Sequence, residues 1–444
     1  MKTLKDFWTN LRRYPSAIGG LIVVVLLVAT AIYAVIAIPY DEAIRLWRGG
    51  EEVWYQNPKF APPAWTNFFS SKKLPLSFDV KTTDGGMTKH ITAGDNDTST
   101  IDINYSFDFS YDGYPQEMIL YFTSTYQEKQ PFASISWITP DGRKIKIGNT
   151  GITQKFTYRF SQDKRLQSQF DGDAISGLFT DFQTNKPLKG TYQLLITVTT
   201  FEKGSDVDAD FVFHGQVYGL AGTDQARRDL MVPLLWGTPI ALIFGLLASV
   251  ATLVVTLIIA TIGTWYGGWV DALIQRITEI NLVLPFLSIL IMVATFFSRS
   301  IWLMLGVTVL LSIFTGSIKQ YRAQLLQLKE SMYIEAARAY GASDTRIIFQ
   351  YLIPRMIPLL IPSLVLSVPT FVFLEATLAL LGLGDPVLPT WGKIINDAET
   401  NGALYKGYYY WILEPATLLM VTGLGFAVLG FALDRIFNPR LRDM

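Results

Sequence analysis

Asp206, Asp208 and Asp210 alternate with apolar residues, and closely spaced carboxylates are the raw material of a calcium loop. A twelve-residue loop of that kind needs glycine at its sixth position and an acid at its twelfth, where Phe211 and Val217 stand. The spacing therefore reads as the solvated face of a β-strand. His90 and His214 are the only histidines and lie far apart, which gives no support to a histidine metal site or a histidine-based triad. With no cysteine, the chain has no disulfides, thiolate ligands or thiol nucleophiles. It also has no glycine-lysine loop to cradle phosphates, so the sequence offers no nucleotide site of its own. The expectation is no catalytic residue, no metal site and no cofactor on this chain.

Charges inside apolar runs are the second place to look, because burial at membrane depth is expensive and such groups pair or line a water-filled path. Glu375 lies in the run 358–381 with no opposite charge nearby in sequence. It is either a pathway-lining or gate residue, or a buried carboxylate held by hydrogen bonds from neighbouring helices. Arg276 and Glu279 are three apart on one helical face, a spacing that favours a structural ion pair over a gate.

These residues need a membrane scaffold. Half of the 444 residues are hydrophobic and 17% are charged, too much hydrocarbon for one ordinary soluble core. The 37 basic and 37 acidic residues cancel, so no global charge points to nucleic acid. Apolar runs at 17–38, 235–262, 273–297, 301–318, 358–381 and 409–433 predict six membrane-spanning helices. The first continues without a cleavage site, so it reads as a retained span rather than a signal peptide. Residues 319–355 carry six basic residues against three acidic ones, and the tail carries Arg435, Arg440 and Arg442. Basic loops favour the cytoplasm, which places both termini and the loop 319–357 inside a cell membrane crossed several times. Arg299, Lys393 and Lys406 fall on the opposite side and count mildly against this.

Between the first two spans, hydropathy collapses for nearly two hundred residues. Residues 101–111 alternate apolar and polar without a slip, which predicts a strand with one buried face. Further strands are predicted at 118–125, 133–138, 144–147, 156–160, 192–200 and 211–218, with Pro140-Asp141-Gly142 as a hairpin turn. The chain thus divides into 1–40 (N-terminus and first span), 41–218 (an extracytoplasmic segment whose β-sandwich core covers about 77–218) and 219–444 (five spans). Asn96 and Asn104 begin triplets that match glycosylation acceptors, a pattern common by chance. Gly425 and Gly430 read as close helix packing in the last span.

Within the basic loop, 331–340 is composed of good helix formers and is followed by Gly341. Ser343 or Asp344 then caps a second short helix, which Pro354 is expected to terminate. The product is a rigid glycine-cornered knob, with small Ala336 and Ala337 on its surface and Glu335 and Arg338 as charged anchors.

The string from Tyr333 to Asp344, continuing to Pro354, resembles the Glu-Ala-Ala loop of ABC importer permeases. Arg12-Arg13, the segment from Gly222, Thr223 and Asp224 to Arg228 and Asp229, Gly267 to Asp271, Leu381 to Gly384, Trp391-Gly392 and Asn438 to Arg442 are similar to the oligopeptide/dipeptide permease family. These motifs span residues 1–75 and 219–444. Two positions depart from the family pattern. Tyr351 stands where histidine is frequent, and Arg227 stands where glycine is usual, a residue that tolerates positive φ as arginine does not.

The resemblance implies a type I ABC importer permease, α-helical and polytopic, carrying an inserted all-β domain. It further implies a second homologous permease subunit, two ATP-binding subunits that hold ATP and Mg, an extracytoplasmic substrate-binding protein, and alternating access driven through Glu335, Ala336, Ala337, Arg338, Gly341, Asp344 and Pro354. Oligopeptides or dipeptides are the implied substrates. The rival is a membrane-anchored β-domain receptor or assembly protein, which would not need the cytoplasmic helix pair.

Overall fold

The computed structural model describes residues 15–94 and 97–437. Arg12-Arg13, Asn96 and the 438–442 motif lie outside them. Two compact units emerge. One is Gly49–Met231, and the other joins the described residues up to Arg48 to those from Val232 onward.

The first unit is a β-sandwich. Its strands are β1 (Phe78–Lys81), β2 (Thr88–Ala93), β3 (Ser99–Phe109), β4 (Glu117–Thr125), β5 (Phe132–Ile138), β6 (Lys144–Gly151), β7 (Lys155–Arg159), β8 (Thr180–Asp181), β9 (Lys186–Pro187), β10 (Gly190–Thr200) and β11 (Asp206–His214). They form sheets ordered β1-β11-β4-β7 and β2-β3-β10-β5-β6, plus the small β8-β9 pair. Ile101 and Ile103 of β3 share one core with Leu120 and Phe122 of β4 and with Phe211 and Phe213 of β11. Asn104, Ser106 and Asp108 face outward, which is the expected period of two. β3 pairs with β10 along its full length, from Ser99 opposite Thr200 to Phe109 opposite Gly190.

β11 starts at Asp206, five residues before the expected start, and ends at His214. The three aspartates are its outer face: Lys89 bridges Asp206 and Asp208, each at 2.8 Å. The predicted short strand at 144–147 runs on to Gly151. The segment is not β throughout, because Asp163 and Asp173 accept backbone N–H bonds that cap the short helices Lys164–Gln169 and Ala174–Phe179.

The chain leaves and returns to this sandwich through one clasp. Phe60 N donates to Asp224 O, Thr223 N to Ala61 O, Tyr218 N to Pro62 O and Ala64 N to Gly219 O, all between 2.8 and 3.2 Å. Just beyond, Ser77 N donates to Val217 O at 3.2 Å.

The second unit is helical. Among the described residues, four helices are long and apolar enough to cross a membrane: Pro15–Ala37, Met231–Tyr266, Asp344–Leu380 and Tyr410–Ile436. Counting each of two bent pairs as one span, Gly268–Val283 with Phe286–Phe296 (78°) and Ile301–Ile313 with Gly316–Lys329 (48°), the number rises to six. The continuous spans expected at 273–297 and 301–318 are therefore broken. Pro285 lacks an amide hydrogen and pushes Leu284 into an extended conformation at ψ 135°, which interrupts the first. In the second, Phe314 and Thr315 leave helical geometry. Their carbonyl region is met from other helices: Asn281 Nδ2 donates to Leu311 O at 2.9 Å and to Phe314 O at 2.7 Å, and Thr256 Oγ1 donates to Ile313 O at 3.2 Å.

Glycines set the close approaches. A Cβ at Gly425 would lie 2.5 Å from Val23 Cγ1, and one at Gly430 would lie 2.6 Å from Leu366 Cδ2. A Cβ at Gly237 would meet the Trp391 ring, whose Nε1 donates to Leu234 O at 2.9 Å, and one at Gly392 would collide with the Ala376 backbone. Trp391-Gly392 is thus a wedge between two long helices.

Candidate functional site

The knob expected in the basic loop is an elbow built on the end of the Met231–Tyr266 helix. Its first arm is Met332–Ala339, and Gly341 turns the chain at φ +77°. Ser343, rather than Asp344, caps the next turn, its Oγ accepting from Arg346 N at 3.4 Å. Pro354 does not terminate this arm. Asp344–Ile347 passes through a π turn at Ile348–Leu352 into Ile353–Leu380, and this wider turn just before Pro354 accommodates its ring and missing N–H inside a continuous helix. The second arm is therefore continuous with a membrane-spanning helix.

Ile334 and Ala337, three apart, face inward and pack with Trp265, Tyr321, Leu325, Ile347 and Leu352. Ala337 is thus a buried contact, not the surface residue its small size suggested. Ala336, Glu335, Arg338, Gly341 and Asp344 are exposed, as is Tyr340 at 93%. The Arg338 guanidinium lies 4.5 Å over the Trp265 ring, and Lys329 Nζ donates to Thr264 O and Trp265 O at 2.9 Å each. Below the elbow, Arg322 Nε donates to both oxygens of Asp271 at 2.8 and 2.9 Å, with Nη2 at 2.5 Å from Oδ2. This fork ties the Gly268–Val283 helix to Gly316–Lys329.

Glu375 is buried at 6% exposure on Ile353–Leu380, with Thr390 as a neighbour. Arg276 and Glu279 pair at 3.5 Å with both side chains exposed.

The pre-membrane motif is a polar knot within the β-unit. Gly222 has φ +73°. Thr223 Oγ1 accepts from Ala61 N and donates to Pro58 O. Asp224 accepts from Ala226 N and Arg228 N, and pairs with Arg228 Nε at 2.5 Å; burial nevertheless pushes its carboxyl above the usual range. Asp229 Oδ1 accepts from Met231 N at 2.9 Å, and burial raises this carboxyl too. Arg227 adopts φ +64°, the conformation expected only of the glycine it replaces. Its Nη1 donates to Asn57 O at 2.6 Å and lies 3.3 Å from His214 Nδ1, while Asn57 Nδ2 returns a bond to Arg227 O. Desolvation, then the Arg227 charge, lowers the His214 imidazole to about 4. Among the described residues, no group of three or more His, Asp or Glu side chains is arranged to hold a metal.

Trp265 and Asn281 were not singled out from sequence, and neither the pairing of Asp271 with Arg322 nor that of Arg227 with Asn57 and His214 was foreseen. Trp265 closes an apolar run and Asp271 opens a glycine-led helix, but only the fold shows which distant cations they meet.

Residues 252–443 match the family described as binding-protein-dependent transport system inner membrane component, and residues 2–63 match the N-terminal TM domain of oligopeptide transport permease C. The chain is similar to the oligopeptide transport system permease protein OppC of Bacillus subtilis (31% identity; 50% of this chain, 72% of the relative). It is also similar to the dipeptide transport system permease protein DppC of the same organism (29%; 50% and 68%) and to OppC of Escherichia coli K12 (31%; 50% and 72%). Neither family match includes residues 64–251.

Proposed function

This chain belongs to the binding-protein-dependent transport system inner membrane components, and from that premise we propose that it is the C-type permease subunit of an ATP-driven importer of oligopeptides or dipeptides. The observation that carries the mechanism is the elbow: a left-handed glycine joins an exposed arm to a second arm that runs unbroken into a long membrane helix. A push on Glu335, Ala336, Arg338 or Asp344 is transmitted along rigid backbone, with Pro354 inside the lever, and through Trp265 to the neighbouring helix. The exposed face docks in a groove on one of two partner ATPases. Those partners hold ATP and Mg, and this chain performs no chemistry of its own.

Closure of the ATPases swings both helices, and the helical unit, paired with a second permease subunit, alternates between outward and inward openings. Both chain termini and the elbow lie on the cytoplasmic side in this reading. Glu375 braces the bundle through Thr390 beside the pathway, and Arg276–Glu279 is a structural pair. The pre-membrane motif from Gly222 to Asp229 fixes the clasp at the base of the β-unit. The sandwich lies outside the cell and presents a docking surface to the substrate-binding protein.

Co-purification and uptake test the core claim. Replacing Glu335 and Gly341 is expected to abolish ATPase recovery and solute accumulation together; wild-type values for both would overturn it. Deleting 77–215 leaves the clasp in place and is expected to weaken binding-protein affinity. Unchanged affinity and uptake would remove the sandwich from docking.

A further inference from the structure

Four large apolar side chains of the β-unit, Ile91, Phe132, Phe182 and Phe201, are exposed on separate segments, as scattered surface residues ordinarily are. Trp65, Phe68, Phe69 and Leu220 instead make one patch. Phe68 is 87% exposed, Phe69 85% and Leu220 67%. The Trp65 and Phe69 rings meet edge to face with centroids 6.2 Å apart, and Trp65 Nε1 donates to Leu220 O at 2.9 Å.

The patch ends in a closed loop. Asn67 Nδ2 donates to Leu74 O at 2.9 Å and Leu74 N donates to Asn67 Oδ1 at 3.0 Å, which leaves Phe68 and Phe69 at the tip beside exposed Lys72 and Lys73. Asp112, which accepts from Lys73 N, is already matched by Lys189 Nζ at 2.6 Å, so the tip stays cationic. An apolar patch held out in this way marks an interaction surface.

Its place in the chain identifies the partner. Leu220 is two residues from Gly222, and Leu230 N donates to Gly222 O at 3.1 Å. The next residue, Met231, starts a 36-residue helix without a charged side chain. Leu220 therefore lies within about 17 Å of the first residue of a membrane helix, by Cα spacing alone. Aromatic rings beside lysines suit the boundary between bilayer and water, where rings enter the acyl region and ammonium groups reach lipid phosphates. A groove on a partner protein would also accept the rings, but the paired lysines and the adjoining membrane helix favour lipid.

We infer that the loop 68–73 is a lipid anchor: Phe68 and Phe69 enter the bilayer leaflet on the side where the β-unit lies, and Lys72 and Lys73 meet anionic headgroups. The inference needs Met231–Tyr266 to span the bilayer and is independent of what is transported.

The chain has no cysteine, so Phe69→Cys takes a single bimane label, as does Glu128→Cys in the exposed β4–β5 connection at the opposite end of the sheet from His214. Full-length protein in nanodiscs of phosphatidylcholine and phosphatidylglycerol is quenched with nitroxide-labelled phosphatidylcholine and, separately, with aqueous iodide. The ratio of lipid to iodide quenching should be at least threefold higher at position 69 than at position 128. Lys72→Gln with Lys73→Gln should lower the ratio at position 69 at least twofold, and so should omission of phosphatidylglycerol. Phe68→Cys gives a second reading of the tip, and a wild-type midpoint of thermal unfolding shows that each labelled chain is folded. Equal ratios at the tip and at position 128 would overturn the inference. Shielding of positions 68 and 69 from both quenchers would place the tip against protein and overturn it as well. A ratio insensitive to the lysines and to lipid charge would overturn the headgroup contact.

Discussion

The Arg338 guanidinium stacks 4.5 Å above the Trp265 ring, so the exposed arm of the elbow is latched to the end of a different long helix. Such a contact is worth about 0.5–1 kcal/mol at an accessible site, enough to bias a moving joint without holding the fold. Trp265→Leu keeps the apolar packing and removes the latch. ATPase subunits should still co-purify, while uptake per ATP hydrolysed falls about three- to tenfold. An unchanged ratio would show that the latch carries no motion.

Gly341→Ala isolates backbone conformation, because a Cβ at Gly341 meets nothing within 4 Å. The cost is that of a left-handed residue with a side chain, about 1–2 kcal/mol. Uptake should drop with reduced ATPase recovery, and Gly341→Asn should retain more of both, since asparagine visits this region more readily.

Arg227→Gly sets two effects against each other. Relief of the φ +64° backbone contributes about 1 kcal/mol, and loss of the buried charged hydrogen bond to Asn57 costs about 1.5–3 kcal/mol. The net should be destabilisation of the β-unit by about 0.5–2 kcal/mol, read as a lower midpoint of thermal unfolding followed by tryptophan fluorescence in detergent. A raised midpoint would mean that strain outweighs the guanidinium's contacts.

Acid should weaken the β-unit through His214. Its folded-state value near 4 lies below the ordinary 6.5, so between these values the unfolded chain binds the proton and the folded chain does not. The stability contributed above pH 6.5 is therefore lost as pH falls towards 4, by roughly 3 kcal/mol at most. Asp224 and Asp229 act in the opposite sense, because burial raises them and the folded state takes up their protons first. The informative quantity is the difference between wild type and His214→Gln, whose unfolding midpoint should depend less on pH across that window. Parallel curves would contradict the assignment.

Glu375→Gln keeps the size of the buried side chain and removes its charge. Subunit assembly should be intact and uptake lower. Full uptake would remove Glu375 from the pathway.

Length and apolarity made the spans legible, and a period of two made β3 legible, because both are properties of composition along a line. Direction is not. Pro285 lies within an unbroken apolar stretch, and nothing in hydropathy signals the 78° turn made there. Pro354 looks like a helix breaker, but the π turn at Ile348–Leu352 just before it carries the helix through. β2 went unread because its residues are mostly exposed and lack alternation. At the elbow, the glycine corner was visible in sequence, but Ala336 and Ala337 are chemically identical and only the helix phase separates the exposed one from the buried one. Trp265 and Arg322 find partners 73 and 51 residues away, beyond any local pattern.

The hydrogen-bonded pairing of residues 60–64 with 218–224 means that the two ends of the inserted domain are fastened side by side before the sandwich begins. Any domain whose own termini are close together can be held by the same fastening. This makes the position a natural cassette: a fluorescent reporter or an affinity module could be exchanged there without respacing the helices on either side.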